Sequence, residues 1–186
     1  MFNNAGYILT GFFESRTAEQ QLCNLECNAI SVTRITHHFV SRLIKDRKKG
    51  CIVFTSSAAA AIPNPFAVMY GSTKAFVSQF AACLAPEVAP RGIDVCAVHP
   101  SPVASNFYDK THKIEGLQLA QRFAVHPDAL PDEILRSIGP LVWRDIGGMA
   151  IIVRLCMHCT SYGFAAFGFA CGAPFMGDYK KFDKDR

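Results

Sequence analysis

Thr55 to Lys74 reads TSSAAAAIPNPFAVMYGSTK, and it joins the end of one apolar run to the start of a long helical pattern. On its amino side Ile52-Val53-Phe54 is β-branched and aromatic, as expected of a buried strand. On its carboxyl side a helix from Met69 onward puts Tyr70 and Lys74 at i and i+4, one turn apart on the same face. Ser56 and Ser57 then sit at the carboxyl end of the strand, the end where parallel α/β sheets bind ligands. A free phenol has a pKa of about 10, and a fixed cation within roughly 4–6 Å favours the phenolate. The spacing therefore predicts that Lys74 lowers the Tyr70 pKa and makes the phenol a usable general acid/base.

Working outward, Phe76, Phe80, Leu84 and Val88 continue a helical stripe expected to be core, and Pro86 should kink or end the helix. Gly92 then precedes Ile93-Asp94-Val95-Cys96-Ala97-Val98, a second nearly continuous apolar run. Strand, helix, strand of this hydrophobicity predicts a βαβ unit in a parallel sheet covered on both faces. Upstream, Leu25, Asn28, Val32, Ile35, Phe39 and Leu43 follow helical spacing between Thr17 and Lys45, and Gly50 is expected to end that helix. Asn28 lies inside the apolar stripe, where a buried amide needs hydrogen-bond partners.

Asn3-Asn4-Ala5-Gly6, Asn28, Ser57, the segment Tyr70-Gly71-Ser72-Thr73-Lys74 and His99-Pro100-Ser101-Pro102-Val103 resemble the short-chain dehydrogenase/reductase family in this order and spacing. The likeness is to its hydroxysteroid or long-chain 3-ketoacyl reductases. A Y-x-x-x-K alone is a weak signal, whereas five concordant segments are a strong one. The resemblance implies a partial Rossmann-like, doubly wound α/β parallel sheet lacking the first βαβαβ units, with a helical C-terminal segment. It implies a catalytic half over 1–106 and, over 107–186, a substrate-covering and apolar helical segment of the same domain.

For chemistry, it implies hydride transfer between NADP or NAD, with NADP favoured, and a ketone or secondary alcohol of lipid or steroid type. Ser57 would donate to the substrate oxygen, with Ser56 as its rival, and Tyr70 would pass the proton. Lys74 would tune Tyr70 and bind the nicotinamide ribose, and Asn28 would hold a water near Lys74. Asn4, Ala5 and Gly6 would border the cofactor, as would Tyr70 and Lys74. Similar enzymes carry P-G-x-V-x-T after the later strand, so Pro100, Val103 and Ser105 take the nicotinamide-binding places, while Ser101-Pro102 replaces the usual glycine and its neighbour with a stiffer turn. No stretch of the chain matches the family's T-G-x-x-x-G-x-G turn, whose backbone N–H groups approach the cofactor phosphates. Met1 accordingly reads as an internal strand residue standing as a start, in an incomplete gene model or a truncated product. The competing expectation is a catalytically inactive fragment that acts through an interaction or a membrane.

A chain of 186 residues, half of them apolar, is one domain's worth, and its net charge of +4 is mild. The basic run Lys45, Arg47, Lys48, Lys49 is expected to be a solvated helix end rather than a nucleic-acid patch. Eight cysteines without a secretory leader read as reduced core thiols in a cytoplasmic protein, or one facing the cytosol on a membrane such as the endoplasmic reticulum. Cys156 and Cys159 have the C-x-x-C spacing with no second pair, so no metal site is expected. His99 is expected to be structural.

Residues 107–144 read as irregular, with Asp132 and Glu133 after Pro131 as a helix first turn. Leu155 to Gly177 spans 23 residues without a formal charge, long enough for a membrane span. Lys180, Lys181, Lys184 and Arg186 follow, interleaved with Asp178, Asp183 and Asp185, a flank suited to an anionic leaflet. Membrane association through 155–177 is one expectation, and a buried helix or dimer face the other. A homodimer through the two long helices is also expected, and the family's usual final strand is not recognisable.

Overall fold

The computed structural model describes residues 1–109, 111, 112 and 114–184. Its sheet has four parallel strands in sequential order, β1 (Phe2–Asn3), β2 (Gly50–Thr55), β3 (Ile93–Pro100) and β4 (Trp143–Ile146). β2 and β3 pair over six residues from Gly50↔Ile93 to Thr55↔Val98. Between β1 and β2 run α1 (Ala18–Leu25) and α2 (Ser31–Lys45), and α3 (Val68–Val88) crosses from β2 to β3.

Alternation along the strands explains their unbroken hydrophobicity. Ile52, Phe54, Val95 and Ala97 point to one face and pack against Val32 of α2 and Val77, Ala81, Ala85 and Val88 of α3. Val53, Cys96, Val98 and Ile146 point to the other, under Leu130, Ile134 and Ile138 of the α5 (Leu130–Ser137) region. A sheet buried on both faces has no polar side to alternate with. The expected βαβ unit and doubly covered parallel sheet are what the structure contains.

Several local expectations need correction. The helix expected over Thr17–Lys45 is interrupted by a π-turn at Glu26–Ile30, which carries Asn28. Beyond the turn, Val32 is buried and Leu43 packs on the core as expected, while Ile35 and Phe39 face solvent and Thr36 is buried instead. Gly50 does not end α2 but starts β2; the left-handed turn residue is Arg47, at φ 51°. Pro86 lies inside α3, which ends two residues later at Val88. Phe76 is exposed, whereas Phe80 and Leu84 pack on the core beside buried Val88.

Residues 107–144 are less irregular than expected. They hold α4 (Glu115–Gln121) and α5, the latter starting at the predicted Pro131-Asp132-Glu133 turn. The last strand is present as β4, hidden in the sequence because its centre is Arg144-Asp145. Those charges are paired at the sheet margin: Arg144 meets Glu133, and Arg154 donates to both oxygens of Asp145 at 2.9 and 3.0 Å while lying 4.9 Å over the Trp143 ring.

The apolar C-terminal segment is not one rod. α6 (Gly148–Cys159) and α7 (Tyr162–Gly172) meet at 108°, and no single described helix is long and apolar enough to cross a membrane. Ser161 stops the run by capping α7, its hydroxyl accepting from Phe164 N at 3.2 Å. α8 (Gly177–Lys184) follows, while Asp185 and Arg186 lie outside the described residues. All eight cysteines are free thiols, yet only Cys96 is buried, which corrects the expectation of core thiols.

Phe54 is fully buried and meets Phe80 edge to face at 5.8 Å. Phe54→Ala is expected to cost about 3–5 kcal/mol of unfolding free energy, read as a lowered urea midpoint.

Candidate active site

The two serines after β2 face opposite ways. Ser56 points inward, its hydroxyl bonded to Lys74 O at 2.9 Å and Ser78 Oγ at 2.7 Å. Ser57 points outward and accepts from Ala59 N at 3.2 Å, which leaves its own O–H to donate, and that hydroxyl interacts with the Tyr70 phenol. Of the two candidates, Ser57 is therefore the one beside Tyr70.

Tyr70 is buried at the mouth of an apolar cavity of about 220 Å³. Its placement depends on close approach of the loop before α3. Asn64 Nδ2 donates to Ala59 O at 2.7 Å and Ile62 O at 2.6 Å, and a methyl group at Gly71 would collide with the Asn64 side chain. Phe66 takes a left-handed conformation at φ 64°, held by Gly11 N donating to its carbonyl at 2.9 Å.

Lys74 is 5% exposed, and its ammonium donates to Thr55 O at 2.7 Å. Burial lowers its pKa to about 8. The expected lowering of the Tyr70 pKa does not occur: burial pushes the phenol up, against the opposing hydrogen bond from Ser57, with the neighbouring Tyr108 adding to the rise. Lys74 Nζ lies over the Tyr70 ring, 5.6 Å from its centroid, as the i, i+4 spacing expects of two side chains on one face.

Asn28 is buried, and both ends of its amide are hydrogen-bonded. Nδ2 donates to Tyr7 O at 2.9 Å and lies 3.2 Å from Thr73 Oγ1, while Oδ1 accepts from Tyr7 N at 3.0 Å. The π-turn puts this side chain against the loop after β1; such turns occur frequently at functional sites. A Cβ at Gly6 would stand 3.1 Å from Asn28 Oδ1 and 3.6 Å from Lys74 Nζ, so Gly6, Asn28 and Lys74 border one small space.

Asn4 and Ala5 are exposed at the carboxyl end of β1, beside Gly6. Pro100 ends β3, paired with Ile146. Val103 bridges Val125, and Ser105 caps the turn Asn106–Tyr108, accepting from Phe107 N at 3.4 Å. The serine replacing the usual glycine has its own task, since Ser101 Oγ accepts from Ala150 N at 3.0 Å and caps α6. Gly147 takes φ 90° there, and a Cβ on it would stand 2.6 Å from that hydroxyl.

His99 is fully buried, with Nε2 at 2.8 Å from Ser78 Oγ. Its Nδ1 has no hydrogen-bond partner, and Asp145 Oδ1 is 3.9 Å away. Burial and the Arg154 charge lower its pKa to about 4, against Asp145, so near neutrality it is a neutral ring and not half of an ion pair.

Two residues at the cavity had no legible signal in the sequence. Tyr108 lines it beside Tyr70, and burial raises its pKa. Asp178, read earlier as one of the flanking acids, is buried and caps α4 across the chain, accepting from Glu115 N at 2.7 Å and Gly116 N at 3.2 Å. Neither residue lies on a periodic pattern. The remaining wall is apolar, with Ile62, Phe66, Leu117, Met149, Val153 and Phe169.

A sequence model of the family described as short chain dehydrogenase matches residues 1–115. Nodulation protein G of Rhizobium meliloti (strain 1021) is 28% identical over 141 residues, covering 76% of this chain and 57% of that protein. The very-long-chain 3-oxoacyl-CoA reductase of Laccaria bicolor is 27% identical over 141 residues, covering 75% of this chain and 39% of that one. This chain thus spans little more than half of the first relative and less than half of the second. Among solved structures, a short-chain dehydrogenase from Sphingobium yanoikuyae in complex with NADPH superposes with a TM-score of 0.68 at 27% identity, covering 77% of this chain and 55% of that one.

Near pH 6.5 the unfolded chain takes up a proton on His99, while the folded chain holds it off until about pH 4. The unfolded state binds more protons in that window, so stability falls as the pH falls through it, by at most about 1.4 kcal/mol per pH unit. Chemical denaturation at pH 7 and pH 5 should show this loss, and His99→Gln should reduce it; an equal loss in both chains would exclude His99 as the cause.

Proposed function

The chain belongs to the short-chain dehydrogenase/reductase family, and from that membership we propose that it carries the catalytic half of a nicotinamide-dependent reductase of apolar ketones. The observation that carries the reading is the pair of hydroxyls, Ser57 and Tyr70, set together at the mouth of an apolar cavity with the Lys74 ammonium behind them.

The nicotinamide end of the cofactor fits the residues present. A Cβ at Gly6 would fill the space bordered by Asn28 and Lys74, and the Lys74 ammonium has three donors, of which one is committed to Thr55 O. Lys74 would bind the ribose hydroxyls there, with Asn4, Ala5, Gly6 and the Pro100, Val103, Ser105 segment as borders. No residue of this chain supplies the glycine-rich phosphate turn, so the fit extends to the nicotinamide end alone. The NADPH complex of the Sphingobium relative supports NADP(H) as the cofactor. When bound, the nicotinamide supplies the hydride that reduces the carbonyl carbon.

The chain's own part is done at the carbonyl oxygen. Negative charge grows there during reduction, and donors already aimed at it lower the barrier without reorganising. Ser57 accepts from Ala59 N and turns its O–H toward the Tyr70 phenol, from where it would be redirected to a carbonyl oxygen placed between the two. Burial keeps Tyr70 protonated, so a proton is present on the phenol for transfer to the oxygen as negative charge develops there. Walls of Ile62, Phe66, Leu117 and Phe169 suit a ketone on a lipid or steroid skeleton, and the Laccaria relative, a very-long-chain 3-oxoacyl-CoA reductase, supports that class.

In the protein that carries this chain, Tyr70→Phe is expected to lower NADPH-dependent reduction of long-chain or steroid ketones by at least about a hundredfold, with cofactor affinity little changed. Turnover unchanged in that variant removes Tyr70 from the mechanism. Because Lys74 loses its proton near pH 8, cofactor affinity should weaken as the pH rises through about 8, and titration calorimetry across that range checks it.

A further inference from the structure

The segment after β4 presents an apolar surface that the catalytic reading does not use. α7 has no buried residue, and Tyr162 to Gly172 contains no charged side chain. Its inner side, through Tyr162, Ala166, Phe169 and Ala170, lines a cavity shared with the loop before α3. At 100° per residue, the outer side runs from Gly163 through Phe167 and Phe164 to Gly172, an apolar arc of about 180°. Phe164 and Phe167 are 70% and 67% exposed. Ile151, Ile152 and Leu155 extend the same character along α6. A helix apolar around its whole circumference belongs in a core or in hydrocarbon.

We propose that α6 and α7 form a one-leaflet membrane anchor, inserted into the hydrocarbon edge of an anionic lipid surface. Two observations, the arc and the charge, choose lipid over a protein partner, and helix length limits the insertion to one leaflet. The exposed arc is wider than one opposing protein face covers, whereas acyl chains surround a helix on all free sides. The helices have 12 and 11 residues, about 18 and 16 Å at 1.5 Å per residue, half of the roughly 30 Å a span requires, and the 108° bend prevents them from adding end to end. Charge at the end of the segment is complementary to anionic headgroups. Residues 178–186 carry four basic and three acidic side chains; Lys180 is exposed, while one of the acids, Asp178, is withdrawn onto backbone N–H groups of α4.

The inner faces of these helices contribute Met149, Val153 and Phe169 to the cavity beside Tyr70. A ketone dissolved in the leaflet would thus need to pass only between α6 and α7 to reach the two hydroxyls. That route rests on the ketone-reductase reading, but membrane binding does not.

Flotation on a density gradient separates the two questions, because aggregated protein sinks and vesicle-bound protein rises without any catalysis. The 186-residue chain is expected to float with phosphatidylcholine vesicles, and more completely when phosphatidylserine is included. Phe164→Glu/Phe167→Glu should lower the floating fraction at least about tenfold with an unchanged far-UV circular dichroism spectrum. Leu22→Glu, an exposed apolar site on α1, should float as the parent does. Quenching of a Phe167→Trp fluorophore by lipids brominated on their acyl chains would place the arc below the headgroups. A parent chain that stays at the bottom with both vesicle types overturns the proposal, as does flotation unaltered by the double substitution. A vesicle-independent dimer abolished by that substitution also overturns it, assigning the arc to a second copy.

Discussion

A buried ammonium holds the site together. Lys74 is on α3, yet its donor bond goes to Thr55 at the carboxyl end of β2, so the helix and the sheet edge cannot slide past one another without leaving the charge unpaired. Leaving a buried charge without its partner costs several kcal/mol, more than the loss of an ordinary hydrogen bond. On the opposite side of the same helix turn, Lys74 O accepts from both Ser56 and Ser78, and Ser78 meets His99 on β3. The turn of α3 between Tyr70 and Ser78 is thus fastened to two adjacent strands, and the phenol inherits a fixed position from that double attachment.

How much of this could be read in advance depended on whether the signal was local. β2, α3 and β3 were legible because they are buried on both faces and carry continuous apolar runs, and Tyr70 and Lys74 because their spacing is that of a helical turn. Asn28 was legible as an anomaly, a polar residue in an apolar stripe. The π-turn beneath it was not, since Glu26 to Ile30 has no sequence feature that distinguishes a wide turn from an ordinary one; beyond it Val32 and Leu43 hold their expected places, but Thr36 and Val40 face inward where Ile35 and Phe39 were expected. β4 failed for a different reason. Its two charges look like solvent-exposed loop until Glu133 and Arg154, 10 residues or so away on either side, are brought to them by the fold. Tyr108 and Asp178 owe their positions to contacts with distant parts of the chain, which no window of sequence contains.

The departures from the family pattern follow the same logic. A glycine in the turn after β3 would leave the Ala150 N–H of α6 without the acceptor that Ser101 supplies. The next turn must then come close to that hydroxyl, which is why Gly147, at a φ of 90°, stands where a side chain would collide with it. A change that stiffens the loop beside the proposed nicotinamide place therefore also determines how α6 leaves the sheet, and through α6 the outer wall of the cavity.

Magnitudes explain why the cation does not win at Tyr70. A unit charge about 6 Å from the phenolate, at an effective dielectric of about 20, favours ionisation by about 3 kcal/mol, or about two pK units. Complete burial of a phenol opposes ionisation by up to about three to five units. Desolvation is the larger effect, and it decides the outcome. The same burial weakens Lys74 itself, so the pair is set against charge on both members: a phenol that keeps its proton and an ammonium that gives its own up readily. In the proposed reduction, this pair would hold a proton on the phenol until an oxygen acquires negative charge beside it. Removing water from the mouth of the cavity strengthens that poise, and the apolar wall contributed by α4, α6 and α7 is what removes it.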